Sequence, residues 1–280
     1  MVCEPSRDPG VLRRAVLRWA LSAISISLLF SACSTADTPG SADKSSEPLA
    51  VFAAANLRSV LDNIARNYHA RTGDSVVLVF GSTTSLGTQI INGAPADLFL
   101  AANTAAIDSL AARDLIVDST RAVYATGRLI LVGNCTKADQ LNPSPRCSAP
   151  QDIASLAQDS YRSIAIANPA FAPYGLAAET ALQRSGVLPR IQDRLVLAAN
   201  VNQALQYALT GNADAAIVAL ALVTDDNSYD YSLVDTTLYD PIVQSLAVLR
   251  SSAHQQRALA FRAFLLSPEV QRVINHYEPH

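Results

Sequence analysis

From residue 49 to the C-terminus, short apolar runs rich in small and β-branched residues alternate with stretches whose apolar residues recur at helical spacing. That alternation constrains the fold more than any other feature. An apolar run of four to eight residues bounded by turn formers makes a buried strand, and the amphipathic helix after it carries the chain back, so the pattern predicts an α/β chain with parallel sheets. Residues 49–54 are the first run, and Leu57, Val60, Leu61, Ile64 and Tyr68 then share a helical face up to Gly73. Residues 75–80 form a second strand, followed by Gly81-Ser82-Thr83-Thr84-Ser85 and a short helix toward Gly93. Residues 97–101 form a third strand, 104–113 its helix, and 122–132 cross into a second unit.

The second unit repeats the logic. Strands are expected at 164–167, 195–198 and 215–218, with helices at 174–184, ending at Gly186, and at 201–209, ending at Gly211. After a polar loop at 225–230 come a strand at 242–249 and two helices, reaching Phe264 and, beyond Pro268, Ile274. If these last elements return to the first unit, one lobe comprises 49–127 plus 241–280 and the other 128–240. The chain then crosses twice, with a cleft between the lobes. Ligands of open α/β sheets sit beyond the carboxyl ends of the strands, and interfaces between domains are favoured pockets, so the cleft is the expected site.

What precedes residue 49 has the pattern of an export leader, residues 1–32. Arg13, Arg14 and Arg18 lead into an apolar stretch from Trp19 to Phe30 that ends in small residues. As a helix rising about 1.5 Å per residue it reaches about 18 Å, short of the roughly 30 Å hydrocarbon core of a bilayer. Leu29-Phe30-Ser31-Ala32-Cys33 resembles the lipobox of bacterial lipoproteins, with Phe30 where that motif usually has leucine; the resemblance implies lipidation of Cys33 and a membrane anchor. Ordinary secretion is the alternative. Residues 33–48, rich in Ser, Ala, Thr, Pro and Asp, cannot bury a core and suit a flexible tether. Of four cysteines, Cys3 leaves with the leader and Cys33 takes the lipid, so Cys135 and Cys147 remain, and an exported pair invites a disulfide. Zinc is disfavoured because no histidine lies near them.

The 21 basic residues against 24 acidic ones include only two lysines, Lys44 and Lys137, so no basic patch for nucleic acid is visible. Catalytic constellations are equally scarce. His69, His254, His276 and His280 fall on predicted helix surfaces or at the terminus, with no metal-binding pair, nucleophile elbow, phosphate loop or dinucleotide fingerprint. Small hydroxyl and amide residues cluster instead where strands end and helices begin, at Asn56, at Ser82 and Thr83, beside Tyr174, and at Asn200-Val201-Asn202. A helix start presents unpaired backbone N–H groups and the positive end of its dipole, so several converging on one cleft would hold an anion without a lysine. Helix capping alone accounts for any one of these positions; four in two units favour a site.

The same stretches resemble, in order, the molybdate-binding proteins of ABC importers, known as ModA. The pieces are Val51-Phe52-Ala53-Ala54-Ala55-Asn56, Gly81-Ser82-Thr83-Thr84-Ser85-Leu86, Asn92-Gly93-Ala94-Pro95-Ala96-Asp97-Leu98-Phe99, Tyr124-Ala125-Thr126-Gly127-Arg128-Leu129, Asn168-Pro169, Ala172-Pro173-Tyr174-Gly175 and Asn200-Val201. The resemblance implies a two-lobed, type II periplasmic-binding-protein fold closing over a tetrahedral oxyanion, molybdate or tungstate, with no catalytic cofactor. It implies an ABC permease as partner and a monomeric chain. Carried over, the first contact falls on Asn56, the hydroxyl contact on Thr83 with Ser82 adjacent, and the second-lobe contacts on Tyr174 and Val201. Many members also offer a tyrosine where this chain has Ala219, a departure for which the Tyr174 hydroxyl could compensate.

Independently of the resemblance, none of these turns contains Asp or Glu. A fully deprotonated dianion accepts hydrogen bonds only, so its site needs donors, and a carboxylate would repel it. Molybdate, tungstate and sulfate therefore fit better than phosphate. The competing classes are an exported enzyme on the same scaffold with Cys135 as nucleophile, a protein for sulfate or another small anion, and a lipoprotein that uses the cleft for signalling.

Overall fold

The computed structural model describes residues 47–134, 149–223 and 230–277. The leader 1–32, Cys33, the tether up to residue 46, Cys135, Cys147, His280 and residues 225–229 of the polar loop lie outside the described residues. The described residues all belong to one unit, Lys44–His280.

Strand β1, Leu49–Ala54, is buried along nearly its whole length, as a continuous apolar run demands. Helix α1, Arg58–Thr72, follows a single 3₁₀ turn and buries Val60, Leu61, Ile64 and Tyr68, the face read from the sequence. It stops at Gly73, whose φ of 77° lies in the left-handed region and lets its N–H reach the His69 carbonyl. Then come β2 (Val76–Gly81), α2 (Thr83–Ile91), β3 (Leu98–Ala101), α3 (Thr104–Ala111) and β4 (Ala122–Gly127). Arg128 alone separates β4 from β5, Leu129–Gly133. The second half supplies β6 (Ile164–Ala167), α4 (Pro173–Arg184), the single-turn α5 (Leu188–Ile191), β7 (Leu195–Ala198), α6 (Val201–Leu209), β8 (Ala215–Ala219) and β9 (Tyr231–Leu233). Strand β10 (Ile242–Val248) and helices α7 (Gln255–Leu265) and α8 (Pro268–Tyr277) close the chain.

Two five-stranded sheets result, in the orders β2-β1-β3-β10-β4 and β7-β6-β8-β5-β9. β10 thus returns to the first sheet, and the chain crosses twice. The sheets are mixed, which corrects the all-parallel expectation. β10 runs antiparallel to β3 and β4, and β5 runs antiparallel to β8 and β9. The strands delivered by strand-helix units are parallel, whereas β5 and β10, each the first strand after a crossing, run the opposite way. β9 escaped the sequence reading because it has three residues on a sheet edge, two of them exposed.

Helices cover both faces of the first sheet. On one face Leu61, Tyr68, Phe261, Leu265 and Ile274 pack together, with the Tyr68 and Phe261 rings 4.8 Å apart and edge to face. On the other, Leu86 and Ile90 of α2 pack with Ile107 and Leu110 of α3 against Phe99. Fully burying one such side chain is worth about 1.5–3 kcal/mol. The second lobe's core extends across the cleft to Ala54, Ala55 and Ala102 of the first, so apolar packing joins the lobes beside the site. Among the described residues no helix is long and apolar enough to cross a membrane.

Candidate functional site

Four chain turns converge on one cavity of about 10 Å³, with Asn56, Ser82 and Thr83 on the first lobe's side and Tyr174, Asn200 and Val201 on the second's. The structure therefore brings together all five residues singled out in the sequence, Asn56, Ser82, Thr83, Tyr174 and Val201. No Asp, Glu, Lys, Arg or His lines it. Room for about one water is less than a five-atom oxyanion fills, so the turns must part slightly around such an ion.

Each turn is held there by its own local chemistry. β1 runs into the 3₁₀ turn Ala55–Leu57 that opens α1, and neither start carries a side-chain cap. Ser82 occupies the cap position of α2 without a side-chain cap, and its hydroxyl donates to Ser85 Oγ at 2.7 Å. Thr83, 1% exposed, accepts the Ala102 N–H at 3.0 Å, which fixes its hydroxyl oxygen at the cavity edge. α4 starts at Ala172-Pro173, again with no side-chain cap. Asn200 does cap α6, its side chain accepting the Gln203 N–H at 3.0 Å and leaving Val201 as the first helical residue. Capping thus explains Asn200 and fails for the other three turns, whose positive dipole ends face the same small space.

Gly175 sets how closely α4 approaches. A Cβ there would lie 2.1 Å from the Ala167 carbonyl oxygen at the end of β6, so only glycine lets the helix start meet the strand end. Across the cavity mouth the Thr84 N–H donates to the Phe171 carbonyl at 3.1 Å, a backbone bond between lobes.

Sequence reasoning missed the centre of the polar floor. Gln244, wholly buried on β10, accepts from Asn56 Nδ2 at 2.9 Å and from Tyr124 Oη at 3.1 Å, and donates from Nε2 to Tyr174 Oη at 3.3 Å. Asn56 Nδ2 also lies 3.4 Å from Tyr174 Oη. The available signal was a Gln-Ser pair interrupting the apolar run of β10, opposite the register shift whose extra residue is Tyr124 of β4. Ala219 is buried at the end of β8 and does not line the cavity, so the phenol in the cleft is that of Tyr174. The described histidines lie elsewhere: His69 is exposed on α1, and His254 sits 3.4 Å from Asp97 Oδ1. Among the described residues no cluster of three metal-ligating side chains occurs.

Comparison with known proteins places this architecture. Residues 49–277 match the model of a family described as bacterial extracellular solute-binding protein. The molybdate-binding protein ModA of Azotobacter vinelandii is 33% identical over 230 residues, 81% of this chain and 87% of its own length. That of Rhodobacter capsulatus is 30% identical over 224 residues, 80% of this chain and 84% of its own. A Bacillus subtilis relative, YvgL, whose name includes the words ABC transporter substrate-binding lipoprotein, is 29% identical across 92% of this chain and 95% of its own. The solved structure of the Azotobacter vinelandii periplasmic molybdate-binding protein superimposes with a TM-score of 0.73 at 30% identity, over 82% of this chain and 97% of that chain. With the two-sheet architecture, the acid-free cleft and the family match spanning the same residues, the chain belongs to the bacterial extracellular solute-binding proteins, in the family of the ModA molybdate-binding proteins.

Proposed function

We propose that this chain captures molybdate outside the cytoplasm and delivers it to an ABC permease. One observation carries the reading: four helix starts, three without side-chain caps, surround a cavity free of carboxylates. Backbone N–H groups and the Thr83 hydroxyl offer donors, which is what a dianion with no proton to give requires. A protonated phosphate would need an acceptor, and the lining offers no carboxylate. Tungstate, a tetrahedral dianion of the same charge, should bind alongside molybdate. Asn56, Ser82, Thr83, Tyr174 and Val201 form the site, with Tyr174 bringing the phenol that Ala219 cannot.

The same reading covers the rest of the chain. The lobes are 49–127 plus 241–280 and 128–240, in keeping with the strand order of the two sheets. Residues 1–32 act as a signal peptide, Cys33 carries the lipid on the tether 33–48, and Cys135 pairs with Cys147, which leaves no thiol for a cysteine nucleophile. The mature chain works as a monomeric binding protein rather than an enzyme, a reading supported by the binding role that the relatives' names give.

Titration calorimetry of the purified chain against molybdate, tungstate, sulfate and phosphate tests this. Molybdate and tungstate should bind at least tenfold more tightly than sulfate or phosphate. Binding of a sugar, amino acid or peptide with none of any oxyanion would overturn it.

A further inference from the structure

The Gln244 side chain joins three elements of the first lobe to one of the second, and nothing in the anion reading requires it. Its carbonyl oxygen takes an N–H of Asn56, at 2.9 Å, and shares the Tyr124 hydroxyl, at 3.1 Å, with the Ala101 carbonyl. Its amide nitrogen donates to Tyr174 Oη, at 3.3 Å, the phenol that opens α4 on the opposite lobe. Tyr124, Asn56, Tyr174 and Gln244 are all at most 2% exposed. Buried amides are directional: one end only donates and the other only accepts, so the orientation of Gln244 dictates which end of Asn56 meets it. Separation of the lobes must break the Gln244–Tyr174 bond, while the bonds to Asn56 and Tyr124 stay within the first lobe.

We propose that Gln244 is the positioning residue of the cleft, orienting the Asn56 amide and latching it to Tyr174 when the lobes close. The part that concerns affinity rests on the oxyanion reading above; the part that concerns closure does not. Gln244→Leu keeps the volume and removes the bonds. In ligand-free full chain, hydrogen exchange at the Thr84 amide, which bonds Phe171 across the mouth, should speed up about tenfold or more, while amides in the middle of α1 keep their wild-type rates. Molybdate affinity should fall about ten- to hundredfold, the loss expected when buried polar partners are left unsatisfied.

Gln244→Glu separates positioning from mere structure. Its carboxylate keeps the acceptor for Asn56 but places a negative charge beside the anion, so molybdate affinity should be weak at pH 8 and recover at least tenfold relative to wild type as the pH falls to 5.5 and the buried acid protonates. Wild type measured alongside corrects for protonation of the anion itself. Should Gln244→Leu not fold, Gln244→Met, unbranched like glutamine and equally without the bonds, carries the same decision through Thr84 exchange. Thr84 exchange within twofold of wild type would overturn the latch, and a pH profile parallel to wild type in Gln244→Glu would overturn the positioning role. If wild type itself bound no molybdate, the oxyanion reading would fall while Thr84 exchange still decided the latch.

Discussion

In the proposed site Thr83 carries two duties through one oxygen. It accepts the Ala102 N–H, which ties the start of α2 to the end of β3, and its hydroxyl proton remains for the cleft. Thr83→Ala should therefore lower molybdate affinity about ten- to hundredfold, the worth of a hydrogen bond to a charged group, and also destabilise the fold by about 1–3 kcal/mol through the orphaned Ala102 N–H. Thr83→Ser restores both functions, so calorimetry and denaturant unfolding of the pair distinguish loss of the hydroxyl from loss of bulk. His69→Ala, far from the cavity on an exposed face of α1, should change neither affinity nor stability beyond about 0.5 kcal/mol. At this scale the hydroxyl and amide residues at the turns were visible in the sequence. Their separation into roles was not: Ser82 donates to Ser85, three residues on, whereas Thr83 is held at the cavity edge by Ala102, nineteen residues away.

Among the elements, α4 depends most on a single small residue. Its first turn packs its backbone against the end of β6, and the 2.1 Å approach to the Ala167 carbonyl leaves no room for a Cβ at position 175. Gly175→Ala must push α4 outward or twist its first turn, a backbone overlap that should cost about 1–3 kcal/mol, as overpacking does. Tyr174 and Pro173 move with that turn, so affinity should fall with stability. Thermal unfolding and calorimetry of Gly175→Ala check both, and an affinity unchanged within twofold would remove α4 from the site. Helix boundaries were legible because they rest on local chemistry: Gly73 and Gly211 in positive-φ positions after α1 and α6, and Asn200 as a side-chain cap. The mixed sheets were not, because whether a strand pairs parallel or antiparallel depends on the lobe from which it arrives.

For the whole molecule, function and stability are linked through closure. In the proposed site the ion's oxygens are met only when both lobes contribute, so binding should stabilise the folded, closed chain. At a free molybdate concentration a thousandfold above Kd the gain is about 4 kcal/mol, or roughly 8 to 16 °C in Tm for a chain of this length. A thermal melt with and without molybdate reads it directly, and sulfate at equal concentration should shift Tm much less. An equal shift for both ions would mean that the cavity does not select by size. The sequence by itself determined most of the strands and helices and the acid-free turns, since periodicity, capping and turn chemistry act over a few neighbouring residues, while the return of β10 to the first sheet, and with it the second crossing, came from the tertiary structure. Only the tertiary structure decided that four turns meet in one cavity, that the sheets are mixed, and that Gln244 stands beneath the site. Those features rest on pairings across 118 and 188 residues of chain, between Asn56 and Tyr174 and between Asn56 and Gln244. No local pattern encodes a partner that distant, because the hydrogen bond exists only after both sheets have formed and packed.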